Sequence, residues 1–289
     1  MSSPVVEDVS VVVPTLGRPM VEGCLDAIAV GTRWPAELIV VDQGSSPTVS
    51  EKLADLRGAG LRAVHLPSSE TGISAATNRG LERVRTTFVA VTHDDCRPAA
   101  SWLEMLIARL EDTGDAVVTG RVDPCGDGEV LTIKTSAVAA VYTRPLIDGD
   151  VLFPPNMAFP IGLVDRIGWF DEHPSLRVAG EDNDWAYRAL RAGVAIVYEP
   201  TAVVGHLARF SAEDLPALHR RYARGQGSFY GKWLRRGDAF IARRALRDLA
   251  RAPWLLARGV VTRNPRLVAM GRGELLGLAP GIVAGLRNR

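Results

Sequence analysis

The sequence predicts an α/β protein built on a mostly parallel sheet with helices on both faces. Three observations carry that expectation. Short apolar runs alternate with helical patterns from Val9 to Glu111. Gly and Pro residues punctuate the joins, as at Gly17-Arg18-Pro19 and Gly44-Ser-Ser-Pro47. Acidic and hydroxyl residues follow the apolar runs, where ligands bind in sheets of this kind.

Taken in order, Val9–Pro14 reads as a buried strand that Pro14 ends, and Pro19 suits the first position of a helix reaching about Val30. Glu37–Asp42 is the second strand, and Pro47 opens a helix to about Arg57. Leu61–Leu66 is the third strand, followed by a helix over Ser74–Val84. Thr87–Thr92 is the fourth strand and ends on His93-Asp94-Asp95. Ser101 with Glu104 is a capping-box pattern for a helix to about Glu111. Ala116–Gly120 and Leu131–Lys134 read as strands around a turn-rich loop, Asp123–Glu129. Helix returns near Gly162–Ile167 and over Glu181–Ala192, where Trp185 and Leu190 read as core. Ala195–Tyr198 is a further strand, and beyond Phe210 the pattern is helical, basic and broken by glycines.

Composition bounds the class. A chain with 47% hydrophobic and 23% charged residues is globular rather than disordered. The charge is divided unevenly: residues 207–289 carry 17 Lys/Arg against 5 Asp/Glu, and the remainder carries 17 against 28. Such halves do different jobs, and the chain divides as 1–207 and a basic helical extension, 208–289. Cys24, Cys96 and Cys125 have no metal-like spacing, and an odd, sparse count fits a reducing compartment. The acidic N-terminus does not read as a signal peptide. No run approaches ~18 uninterrupted apolar residues, so no spanning helix is expected.

Two acidic clusters carry the chemistry. Asp94 and Asp95 close the fourth strand. Adjacent carboxylates repel unless compensated, and a hard cation such as Mg²⁺ or Mn²⁺ is held by one or two carboxylates plus substrate phosphates. A polar strand end that caps the next helix is the ordinary alternative, and spacing leaves the two level. Gly180-Glu181-Asp182 puts carboxylates at a helix start, which by itself is favourable charge at a helix N-terminus; Asp184 with Arg188 is an ordinary i,i+4 pair. A lone His206 in apolar surroundings, Asp42 at a turn and Asn78 on a helix are each weak signals.

The ordered set of pieces resembles the family 2 glycosyltransferases of the GT-A fold over roughly two thirds of the chain. Ser10–Thr15 with Arg18 resembles the opening strand and loop, and Val40–Ser45 the second strand. Gly72–Asn78 is similar to the glycine–asparagine helix segment. Thr92–Asp95 falls at the Asp-x-Asp motif, with His93 replacing the usual first acid, and Thr77 stands where Arg is common. Pro155–Ala158, Gly168–Glu172, Gly180–Asp182 and His206 follow in order. The resemblance implies inverting transfer by a hexosyl- or deoxyhexosyl-transferase. The donor would be a nucleoside-diphosphate sugar of UDP or dTDP type, and the acceptor a glycan or lipid-linked hydroxyl of the cell envelope. It implies Asp182 as general base with Glu181 as an acceptor contact. Pro14, Thr15, Arg18, Asp42, Asn78 and Asp94 would bind the nucleotide sugar, and Asp95 and His206 would hold Mg²⁺ or Mn²⁺.

The extension mixes arginines with Trp233, Phe240, Trp254 and Leu255. One reading is a contact for an anionic membrane surface, which would place the protein in the cytoplasm and peripherally on the inner membrane face; the ordinary alternative is a helical cap whose arginines are solvated or pair with the acidic half, and the membrane reading stands slightly ahead. Nucleic acid is not an expected partner, since no recognised module is present. A nucleotidyltransferase would need a glycine-rich basic loop after the first strand, and a nicotinamide dehydrogenase G-x-G-x-x-G; neither is there. A catalytically silent protein of the same fold, docking through its tail, is the alternative that His93 favours.

Overall fold

Val9, Val11, Val12 and Val13 give β1 (Val5–Thr15) its strength, and the chain alternates from there: α1 (Val21–Ala29), β2 (Arg33–Asp42), α2 (Pro47–Gly58), β3 (Ala63–Pro67), α3 (Ile73–Arg83), β4 (Phe88–Val91), β5 (Cys96–Pro98), α4 (Trp102–Thr113) and β6 (Ala116–Cys125). Less regular chain follows, with β7 (Ala140–Tyr142), β8 (Met157–Pro160), α5 (Leu163–Ile167), α6 (Glu181–Arg191) and β9 (Ala195–Leu207). Three long helices end it: α7 (Leu215–Leu234), α8 (Ala239–Val261) and α9 (Pro265–Leu286). These come from a computed structural model that describes residues 5–131, 133–147, 149–177, 179–208 and 210–287. The chain forms two compact units, one of Met1–Pro145, Val151–Phe170 and Ala186–Ala208, the other of Leu146–Asp150, Asp171–Trp185 and Arg209–Arg289.

The first unit holds the sheet, in the order β3-β2-β1-β4-β8-β6-β9-β5, with β7 on β9. β1 pairs parallel with β2 and β4, β2 with β3, and β6 with β9. β8 runs antiparallel to β4 and β6, and β5 and β7 run antiparallel to β9. One side is therefore parallel, as expected, and the other is mixed. β5, β7 and β8 are too short to show a period, and the sequence reading missed them.

Alternation along the strands sorts the core. Val9, Val11, Val13, Leu38 and Val40 join Leu25 of α1, Leu53 of α2 and Trp102 and Leu106 of α4 in one cluster. Val12 and Val41 point the other way, toward α3. There Gly80 allows the approach, since a Cβ would fall 2.3 Å from Val12 Cγ1. Asn156, wholly buried, pins the mixed half. It accepts from Trp102 Nε1 at 2.8 Å and donates to the carbonyls of Arg121 and Ala202, each at 2.8 Å.

Several boundaries move. β1 runs through Pro14 to Thr15, and α1 starts at Val21, two residues after Pro19. Ser101 occupies the N-cap of α4 without a side-chain cap bond; Glu104 instead accepts from Thr32 Oγ1 at 2.8 Å. Leu131–Lys134 is not a strand: Lys134 makes one isolated bridge to Val122, and Thr132 lies outside the described residues. β9 extends far beyond Tyr198 and takes in His206.

In the second unit α7 and α9 touch backbone to backbone. A Cβ on Gly277 would fall 2.5 Å from the Arg220 carbonyl, on Gly281 2.1 Å from that of Arg224, and on Gly231 2.1 Å from that of Ile282. Only glycine fits such an approach. Asp238 caps α8 by accepting from Ile241 N at 3.0 Å, and Asn264 caps α9 ahead of Pro265. α9 is long and apolar enough to cross a membrane by length and composition. The expectation of no such helix rested on uninterrupted apolar runs, and Arg266, Arg272 and Glu274 interrupt this one.

Lys232 of α7, like Arg244 of α8, is a buried cation of this unit. Its Nζ lies 2.7 Å from both Asp171 and Asp184, and Trp233 Nε1 donates to Asp184 at 2.9 Å. Burial pulls the Asp171 carboxyl upward, but the Lys232 bond and the His173 backbone N–H outweigh it and hold Asp171 below the usual range.

Replacing Asn156 with Ala strands three buried partners and should cost about 2–4 kcal/mol in reversible denaturation. Lys232→Met leaves two carboxylates facing one another and should cost about 3–5 kcal/mol at neutral pH. A depressed carboxyl pKa contributes stability above the unfolded value and loses it as pH falls. The Lys232→Met deficit should therefore narrow in acid, which pH-dependent melting measures.

Candidate active site

Parallel pairing sets the carboxyl ends of β1 and β2 side by side, with Thr15 opposite Asp42. Thr15 Oγ1 donates to Asp94 Oδ2 at 2.8 Å, and Arg18 grips the same carboxylate with Nη2 to Oδ1 at 2.6 Å and Nε to Oδ2 at 3.3 Å. Thr15, Arg18 and Asp94 are thus one cluster, with Pro14 buried at the end of β1 beside it. Two-point contact fixes the guanidinium plane, and Arg18 remains about one-third exposed at 35%.

Asp42 is fully buried and already engaged. Gly44 N and Ser46 N each donate to it at 2.8 Å, and His65 Nε2 lies 3.1 Å from Oδ2. The carboxylate shapes the turn after β2, with Ser45 at φ 50°. Asn78 is bonded to the Phe170 backbone at both ends of its amide: Nδ2 donates to the Phe170 carbonyl and Oδ1 accepts from Phe170 N, both at 2.9 Å. It staples α3 to the Gly168–Phe170 turn, a role not visible from its helical position.

Asp95 and His206 meet across the β5–β9 pairing, where Cys96 stands directly opposite His206. His206 Nε2 is 3.6 Å from Asp95 Oδ1, and Cys96 Sγ is 3.8 Å from the same oxygen. Ligand atoms of the three lie within 4.8 Å of one another, a carboxylate–imidazole–thiol set able to hold a divalent ion. Cys96 was missed because cysteine spacing was weighed only against other cysteines. Burial, then the Asp95 charge, raises its thiol pKa well above the ordinary value. Burial also lowers the His93 imidazole, against the pull of Asp95, so His93 is neutral near pH 7.

Glu181 and Asp182 open α6 in the second unit. Gly180, at φ +95°, makes this turn possible, and a Cβ there would fall 2.6 Å from the Gly225 carbonyl of α7. Asp182 Oδ1 accepts from Asn183 N at 2.8 Å, and Asn183 Nδ2 donates to Gln226 Oε1 at 2.6 Å. Burial, then the Asp150 charge, pushes the Asp182 carboxyl up to about 6. Burial and Asp182 raise the Glu181 carboxyl well above its ordinary value, and Glu181 Oε2 is a buried oxygen with no hydrogen bond among the described residues. Asp150 is itself held by Arg244 of α8 at 2.6 Å. Neither Asp150 nor Arg244 carries a motif signal; what links them to Asp182 is the fold. Asp184 and Trp185 are wholly buried, as is nearly all of Leu190.

The chain matches the family described as "Glycosyl transferase family 2" over residues 10–164. It is 31% identical over 223 residues to the pre-mycofactocin glycosyltransferase of Mycobacterium tuberculosis, covering 74% of this chain but 45% of that protein, so it spans about half the length of that relative. It is 25% identical to the glycosyltransferase AglE of Haloferax volcanii, covering 90% of this chain and 84% of AglE. Among solved structures, the mannosyltransferase PcManGT of Pyrobaculum calidifontis, in complex with GDP-Man and Mn²⁺, superposes with a TM-score of 0.63 at 18% identity, covering 98% and 88% of the two chains. The S. aureus TarS 1–349 complex with UDP-GlcNAc gives 0.56 at 14%, covering 92% and 90%. The fold is that of the GT-A glycosyltransferases, and the chain belongs to glycosyl transferase family 2.

Proposed function

We propose that this glycosyltransferase moves a sugar from a nucleoside-diphosphate donor to an acceptor hydroxyl with inversion, and that Asp182 is the general base. The observation that carries the reading is the desolvated Glu181–Asp182 pair at the first turn of α6, with Asp182 poised near neutral pH. An ordinary exposed aspartate is a poor proton acceptor; a carboxylate with proton affinity near 6 is a competent one. Glu181, whose proton affinity burial and the neighbouring Asp182 raise, is suited to carry a proton that it donates in a hydrogen bond to the acceptor.

Donor binding falls to the strand ends of the first unit. Arg18 is placed to meet diphosphate oxygens while Thr15 and Asp94 hold its plane. Pro14 would shape the floor beside the donor. The turn ordered by Asp42, and α3 anchored by Asn78, would flank the base; uridine or thymidine is the expected nucleoside. PcManGT with GDP-Man and Mn²⁺ and TarS with UDP-GlcNAc support this class of donor. Asp95 and His206 would hold the divalent ion, and an imidazole beside a carboxylate suits Mn²⁺ better than Mg²⁺. Bound there, the ion would neutralise charge on the departing diphosphate. The acceptor is a cell-envelope glycan or lipid-linked hydroxyl, presented to a protein that rests on the inner face of an anionic membrane through its basic helices.

Asp182→Asn should reduce transfer by at least ~10³-fold while leaving donor binding intact. Because Asn removes a desolvated charge, the variant should melt no lower than the parent at pH 7; normal turnover by it would overturn the base assignment. In the parent, kcat/KM should rise with pH through about 6 and then level, since the ionised form acts as base. Calorimetry with a panel of nucleoside diphosphates should show one nucleotide bound tightly only with Mn²⁺, and Asp95→Ala or His206→Ala should remove the metal dependence. Binding that ignores metal would overturn the ion assignment.

A further inference from the structure

The outward faces of α8 and α9 are apolar where a surface helix is normally polar. α8 buries Ile241, Ala245, Ala252, Leu255 and Gly259. On its exposed side stand Leu246 at 69%, Trp254 at 54%, Val260 at 62% and Val261 at 83% exposure. Spacings of three and four residues, continued through Ala250, Pro253 and Ala257, draw these into one stripe along the helix. α9 buries its glycines and leaves Leu275, Leu276, Val283 and Leu286 exposed at 42–48%.

The charges beside these stripes have one sign. Arg243, Arg258, Arg263, Arg266, Arg272 and Arg287 are exposed. The acids within residues 239–287, Asp248 and Glu274, are both buried and paired, with Arg247 at 2.9 Å and Arg251 at 2.6 Å. The Arg258 guanidinium lies over the Trp254 ring, 5.1 Å from its centroid. Aromatic bodies and arginine heads in that arrangement suit a boundary between hydrocarbon and headgroups. A contiguous apolar surface rimmed by cations marks a binding face. The absence of any exposed carboxylate among the described residues of both helices selects an anionic occupant.

We infer that α8 and α9 seat the second unit on an anionic lipid bilayer, with Leu246, Trp254, Val260 and Val261 entering the acyl boundary and the exposed arginines meeting phosphates. This gives the membrane contact proposed above its residues, and it stands independently of the base and donor assignments. α9 lies on the membrane rather than crossing it. Its glycine face is packed on α7, and its Glu274 is tied to Arg251 of α8.

The test is sedimentation of the purified full chain with vesicles of phosphatidylcholine alone or mixed with phosphatidylglycerol. Binding is expected only to the mixed vesicles, and high salt should release it. The double variant Leu246→Asp, Val261→Asp should bind at least about a hundredfold more weakly. Both positions are exposed, and unchanged circular dichroism and nucleotide binding confirm that the fold and the donor site persist. Equal binding to both vesicles would overturn the anionic-lipid assignment, and equal binding by the double variant would overturn the face. No vesicle binding, with light scattering showing a dimer that the double variant loses, would reassign the surface to a second copy of the chain. No binding and no dimer would remove the proposal, and protein released only by detergent from cell membranes would overturn the surface mode for α9.

Discussion

A carboxylate taken out of water costs several kcal/mol unless donors or cations surround it, and this chain buries many of them. Most are answered locally. Asp42 receives two backbone N–H groups and faces an imidazole. Asp94 receives Arg18 and Thr15, and Asp184 receives Lys232 and an indole N–H. These groups are fully engaged and can position neighbours. Glu181 and Asp182 are different: burial dominates both, no cation pairs with either carboxylate among the described residues, and their proton affinities rise. The contrast separates carboxylates that hold the protein together from those available to exchange a proton.

The parallel half of the sheet was legible because each strand there is long, apolar and followed by a helix. Ordered motifs from Ser10 to His206 carried the family. Reading failed where a side chain's partner lies far off in sequence. Asn78 looked like a helix-face amide, yet it is bound to Phe170, 92 positions away. Asp150 sits in an irregular stretch with no period, and only folding brings it near Asp182. Short antiparallel strands such as β5 have no pattern of their own, though β5 is what carries Cys96 opposite His206.

Charge asymmetry was visible from the sequence, but its meaning was not. Counting arginines in the extension treats them alike. Folding divides them: Arg244, Arg247 and Arg251 turn inward to Asp150, Asp248 and Glu274, while the exposed ones remain on the surface. The apolar residues divide similarly, since a helix pattern gives a stripe without saying which side is covered. In α8 and α9 glycines and alanines take much of the covered side beside Ile241, Leu255 and Leu278, because the backbones approach so closely, and several large apolar residues are left outside.

The mutual fit of Gly180 and Gly225 bears on how this protein can be divided. A Cβ on Gly225 would strike the Ala179 carbonyl at 2.3 Å, so the turn before α6 and the middle of α7 are machined to each other. Residues 146–150 and 171–185 fold with the C-terminal helices although the rest of the catalytic sequence surrounds them. A cut at 207/208, natural on a linear map, would strip Glu181 and Asp182 of their supporting wall and Asp171 and Asp184 of their cation. The exchangeable piece in a chimera is therefore three segments moved together, and grafting the tail alone would carry across its charge without the geometry that it enforces.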